Sequence, residues 1–139
     1  MPLAEDMLAR SPLFSMLPSA ELAKLGAKCH DRRFPAGATL AEDDGAGGLF
    51  GLIVEGMATV AVHGEAVRTL GPGDGFGELA LVDEGRRSSS VTAATDVRCL
   101  FLTKWDFRPF AMAHPEVAWA LAALTVQRLR EAEARRAEG

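Results

Sequence analysis

The chain has 139 residues, 48% of them apolar and 24% charged, with a formal net charge of −4. That is ample apolar material for one folded domain, and it excludes an intrinsically disordered chain. The acidic balance also excludes a broad basic surface for gripping nucleic acid, so any anion site must be local.

The opening stretch MPLAEDMLAR has no basic lead and no long apolar run, so it does not read as a secretion signal. Charged residues interrupt every later apolar run before it reaches the length of a membrane span. Residues 3–9 predict one or two helical turns, and Ser11-Pro12 marks a turn. Pro18-Ser19 predicts a helix over 20–28 with Ser19 as its N-cap, and Leu22, Leu25 and Gly26 share one face.

From Cys29 to Thr103 the period changes. Short runs, most of them with β-branched residues, fall at 30–34, 38–42, 49–54, 57–63, 66–70, 91–95 and 97–102, cut by Gly, Pro and Asp. Regular short strands with turn signals predict an all-β sandwich or barrel. His63-Gly64-Glu65 predicts a tight hairpin. Cys29 and Cys99 lack C-x-x-C spacing, which predicts free, buried or half-buried thiols in a reducing cytoplasm.

After Thr103 the helical period returns. Residues 104–113 carry Trp105, Phe107 and Phe110, with Pro109 expected to bend or end the helix. Trp105 and Phe110 read as core. A last helix starts at His114-Pro115 and runs to 136. Its stripe is Val117, Leu121, Leu124 and Arg128, with Ala120 and Leu129 alongside, and it offers a face for a second copy. Spacing leaves the face of Trp119 open.

The organising stretch lies at 73–91. Four glycines at 71, 73, 75 and 77 lead into Glu78, a short apolar turn, a loop, Arg86-Arg87 and Ser88-Ser89-Ser90. Glycines allow backbone N–H groups to approach a ligand, and a short helix starting near Gly77-Glu78 would aim free N–H groups at an anion. Arg87 supplies a two-pronged contact to phosphate oxygens, and Ser88 and Ser89 supply hydroxyl donors. A carboxylate in such a place repels phosphate, so Glu78 must accept from a neutral donor, and a sugar hydroxyl fits. Phosphate plus ribose in one loop indicates a nucleotide.

Phe76-Gly77-Glu78-Leu79-Ala80-Leu81 followed by Arg87-Ser88-Ser89-Ser90-Val91 resembles the phosphate-binding cassette of cyclic nucleotide-binding domains. These occur in the catabolite activator protein family, in cAMP-dependent protein kinase regulatory subunits and in cyclic-nucleotide-gated channels. The resemblance extends to the "L-F-x-x-L-P" lead and to Leu52-Ile53-Val54-Glu55-Gly56. It implies an eight-stranded jelly-roll β-barrel, a helical lead over 1–28, a roll over 29–103 and C-terminal helices over 104–136, together one domain over 1–139. It implies ligand contacts from Phe76, Gly77, Glu78, Leu79, Ala80, Arg87, Ser88 and Ser89. Arg87 and Ser88 would hold the cyclic phosphate, and Glu78 the ribose 2′-hydroxyl. A Thr directly after the arginine accompanies cGMP preference in the family. Ser88 stands there instead, which favours cAMP.

Three positions depart from the family pattern. Arg86 beside Arg87 permits a one-residue slip, and counting back from Val91 favours Arg87. Ser89 replaces a common Ala. Gly51 lies where an aromatic is common, so a looser roll is expected there. Around Ala132, where the family caps the base, only Ala, Glu and Arg occur.

The reading is a cAMP-binding or cGMP-binding sensor without catalytic chemistry, located in the cytoplasm, whose last helices move on binding. The stretch to Gly139 carries no helix-turn-helix, so direct nucleic-acid contact is not expected and the effector is another protein or segment. One competing reading is a docking or dimerisation module that binds no nucleotide. Another is a metal cupin, which is disfavoured because His30, His63 and His114 lack ligand spacing. No G-x-S-x-G elbow and no Walker loop is present.

Overall fold

The structure, a computed structural model, describes residues 3–41, 49–77 and 89–138. Among the described residues, helices α1 (Leu3–Arg10) and α2 (Ser19–Gly26) lead into eight strands: β1 (His30–Phe34), β2 (Thr39–Ala41), β3 (Leu49–Glu55), β4 (Ala58–Val62), β5 (Glu65–Leu70), β6 (Gly75–Phe76), β7 (Ser90–Ala93) and β8 (Val97–Thr103). Helices α3 (Lys104–Ala113) and α4 (Pro115–Glu138) follow. The strands form two antiparallel four-stranded sheets, ordered β1-β8-β3-β6 and β2-β7-β4-β5. The fold is mainly β with flanking helices, as expected.

The layering follows from strand alternation, because successive side chains point to opposite faces. On β8, Val97, Cys99 and Phe101 enter a cluster shared by the two sheets, together with Ile53, Val60, Leu70, Phe76 and Val91. Leu100 and Leu102 point the other way, with Phe50 and Leu52, into a second cluster beneath the helices. The first sheet is therefore buried on both faces. Phe14 anchors the helical side, fully buried between the rings of Phe50 and Phe107 at 5.8 and 6.0 Å in edge-to-face contact.

The hairpin between β4 and β5 turns at His63 and Gly64, both at positive φ (52° and 80°), the geometry whose twist matches the flanking strands. The lead differs from expectation in its cap. Pro18 occupies the N-cap of α2 with no side-chain bond, and its carbonyl accepts from Glu21 and Leu22 at 3.0 Å. Ser19 is already helical, and the helix ends at Gly26 rather than 28.

Helix α3 starts where Thr103 Oγ1 accepts from the Asp106 N–H at 3.2 Å. Pro109 does not end it; the helix continues to Ala113. Trp105 is not core. It is 68% exposed, with Lys104 and Arg108 against its ring. Phe110 is half-buried against the helical cluster. Among the described residues, no helix is long and apolar enough to cross a membrane.

Candidate functional site

Strand β6 was not expected from the sequence, because two residues have no period to read. It pairs with β3 through Gly51↔Phe76 and Leu52↔Gly75. The turn before it is tied to β3 as well. Gly73 N–H donates to the Ile53 carbonyl at 2.8 Å, and Ile53 N–H donates to the Asp74 carbonyl at 2.9 Å. The Asp74 carboxylate closes the turn by accepting from Gly71 N–H at 2.8 Å.

Phe76 is 2% exposed, so its side chain belongs to the core between the sheets. Gly77 follows at φ 79°, in the left-handed region that disfavours any side chain. The chain re-emerges at Ser89, half-buried, one residue before β7. The two anchors thus belong to different sheets, but Phe76 and Val91 share one core. Glu78, Leu79, Ala80, Arg87 and Ser88 lie outside the described residues. So does the short helix expected from Gly77-Glu78, apart from Gly77 itself, which is not helical.

Gly51 does not loosen the roll. In the sheet it stands between Phe101 on β8 and Phe76 on β6. The Phe76 ring lies over it and reaches the Phe101 ring, edge to face, at 6.0 Å. The aromatic bulk comes from the neighbouring strand.

A cleft of about 170 Å³ opens beside this region. Its walls are the lead turn at 11–13, Arg68 to Leu70 on β5, the turn at 73–75, and Leu124 and Arg128 on α4. That volume falls short of the roughly 300 Å³ at which small-molecule pockets begin. Arg68 pairs with Val60, whose side chain faces the inter-sheet core, so Arg68 belongs to the inner face of β5. Spacing alone does not mark that face, because the register shift between Val60 and Ala61 sets Ala66 opposite Ala61 and leaves it exposed. Arg68 and Arg128 each have contacts of their own, and Asp74 lines the same cleft.

The expected stripe on α4 divides in two. Val117 and Leu121 are buried in the helical cluster, whereas Leu124 and Arg128 face the cleft. A separate line is exposed, with Trp119 at 79%, Val126 at 48% and Leu129 at 55%. The α3–α4 joint is held to α2 by His114, whose Nε2 lies 3.4 Å from Glu21 and whose Nδ1 lies 3.0 Å from Glu116. Lys28 and Asp106 add a second tie at 3.7 Å. Lys24, bonded to Glu21, and then His114 hold the Glu21 carboxyl below its usual range.

Among the described residues, no group of three His, Cys, Asp or Glu side chains could hold a metal ion. His30, His63 and His114 fall on β1, on the hairpin and at the helix joint.

Residues 31–114, more than half of the chain, match the family described as cyclic nucleotide-binding domain. The chain belongs to that family. It is 37% identical over 123 residues to a cyclic nucleotide-gated potassium channel of Rhizobium etli, covering 88% of this chain and 34% of the channel. It is 36% identical over 106 residues to a cAMP-dependent protein kinase regulatory subunit of Emericella nidulans, covering 75% of this chain and 26% of that protein. The crystal structure of Thermus thermophilus catabolite activator protein superposes with a TM-score of 0.79 at 34% identity, covering 90% of this chain and 61% of that one. This cyclic nucleotide-binding domain therefore spans between about a quarter and three fifths of these relatives. The family is regulatory. The cleft sits where the 73–75 turn, which leads through β6 to residues 78–88, meets α4.

Proposed function

We propose that this domain is a cyclic-nucleotide sensor that converts ligand binding into movement of α3 and α4. Glu78 accepts from the ribose 2′-hydroxyl. Arg87 and Ser88 hold the cyclic phosphate, with Ser89 and the backbone N–H groups at 77–80 completing the cradle. Charge-assisted bonds of this kind contribute roughly 1.5–3 kcal/mol each. Ser88 favours cAMP over cGMP, and no metal is needed. The sensor carries out no chemistry, works in the cytoplasm, contacts no nucleic acid itself and passes its signal to another protein or segment.

The observation that carries this reading is the position of α4. Leu124 and Arg128 line the same cleft as the 73–75 turn, and that turn runs through β6 into residues 78–88. A shift of the cassette is therefore felt by α4. A ligand can only move such an equilibrium through unequal affinity for its two arrangements. For α4 to move, the His114–Glu21 and Lys28–Asp106 ties must lengthen or re-form.

Dimerisation is part of the proposal, but through a different face from the stripe read in the sequence. Trp119, Ala122, Val126 and Leu129 follow a 3-4-3 spacing on the exposed side of α4, the pattern of a two-helix seam. The same line also supports the second reading, a docking module that needs no nucleotide.

Thermal unfolding separates the two readings, because a ligand bound only by the folded state raises Tm with concentration; at a hundred times Kd the gain is about 2.7 kcal/mol. The sensor reading expects a rise with cAMP, a smaller one with cGMP and none with 5′-AMP. An unchanged Tm at millimolar concentrations of both cyclic nucleotides favours the docking module instead.

A further inference from the structure

Gly51 pairs with Phe76, the last residue of β6, so the geometry around it bears on where the chain leaves that strand for residues 78–88. Strand β6 has two residues, so its ladder to β3 is only two pairs long, and it lies at the edge of its sheet. So short an edge strand needs something besides backbone bonds to fix its position. The Phe76 ring supplies it.

Phe101, Gly51 and Phe76 stand in one cross-strand row. The outer two are separated by two strand spacings of roughly 4.8 Å. Their rings meet over the glycine with centroids 6.0 Å apart and planes at 81°. That meeting is possible only because the middle residue has no side chain. A Cβ at position 51 would lie 2.6 Å from Phe76 Cε1 and 2.8 Å from Cε2, and closer still to Cζ. Real Cβ atoms do not approach other atoms so closely, so the ring would have to shift from its seat. Covering a sheet glycine with a neighbouring aromatic is a known way of pinning register.

We propose that Gly51 and Phe76 form a positioning pair for the nucleotide site. The glycine seats the ring, the ring fixes β6, and β6 sets the starting position of the residues that contact the ligand. Gly51 is then a positioning residue that acts through Phe76, without touching the nucleotide. This rests on the sensor reading above.

The test is a double-mutant cycle read by isothermal titration with cAMP and cGMP, at a temperature where circular dichroism shows each variant folded. Gly51→Ala is expected to weaken nucleotide binding by about tenfold or more, a typical coupling for residues in contact. Phe76→Leu removes the outer ring atoms that collide with the new Cβ. The Gly51→Ala/Phe76→Leu double variant should therefore bind more tightly than Gly51→Ala alone, although Phe76→Leu by itself weakens binding. A purely structural role for Gly51 would lower Tm without this reversal in affinity.

The proposal is overturned if Gly51→Ala binds within about twofold of the parent, or if the double variant is no better than the single. Should Gly51→Ala not fold, Phe76→Leu decides alone, because it crowds nothing; unchanged affinity there overturns the pair. A parent protein that binds neither nucleotide rejects the sensor reading and this inference together. A parent that binds, with indifferent variants, rejects the inference alone.

Discussion

Burial pushes the Cys29 thiol up to about 11 and the Cys99 thiol up to about 12, from an ordinary value of 9.0. The Asp106 charge adds to the effect at Cys29. Both groups are held as neutral thiols, with Cys29 half-buried and Cys99 buried. A thiol whose folded value is raised stabilises the fold fully below its unfolded value, and that stability is lost as pH rises through the folded value. We therefore expect stability to decline between about pH 9 and 12, and a thiol reagent to label the native protein slowly at pH 8 but the unfolded chain at once. Rapid native labelling of Cys99 would contradict this. Sequence reading reached the right state for the cysteines because nothing near them offered a partner. It misplaced Trp105 because hydrophobicity does not say which face of a helix meets the core. The rings of Phe107 and Phe110 take the inward side of α3, and Trp105 is left between two cations on the outside.

Elements with a long period or a strong stop signal were legible. Helix α3 matched its expected bounds because Thr103 caps one end and His114-Pro115 begins the next helix. Seven of the strands were bounded by Gly, Pro or Asp signals or by a change of period, and were expected within one or two residues of where they lie. Strand β6 was not, since its place is set by pairing with β3 rather than by its own two residues. The N-cap of α2 failed for a related reason: Pro18 and Ser19 both suit a helix start, and only the geometry chooses. The seam on α4 also needed the structure. Val117 and Leu121 are consumed by the chain's own core, which leaves Trp119, Val126 and Leu129 outward. If that line pairs two copies, Val126→Glu with Leu129→Glu should convert a dimer to a monomer in light scattering, with the fold intact by circular dichroism. A parent that is already monomeric at high micromolar concentration would contradict the seam.

Across the whole molecule, one sheet is packed on both faces, by helices on one side and by the second sheet on the other. Residues 78–88 span from a strand of the first sheet to a strand of the second, and α4 borders the turn that leads into them. The family was legible in the glycine-rich approach, the carboxylate and the Arg-Ser run, because few other functions need that combination in so few positions. The base-reading end was not legible, because Ala132 and its neighbours offer no distinctive donor or acceptor, and the inner-face Arg68 stood out only once the strand register was known. The most direct measurement is an isothermal titration of cAMP and cGMP into the parent chain and into Arg87→Ala. The sensor account predicts one saturable site, tighter for cAMP, and a loss of roughly 2–5 kcal/mol in the variant, as expected when a hydrogen-bonded charge partner is truncated. Equal binding by parent and variant, or no heat from either at millimolar nucleotide, would contradict it.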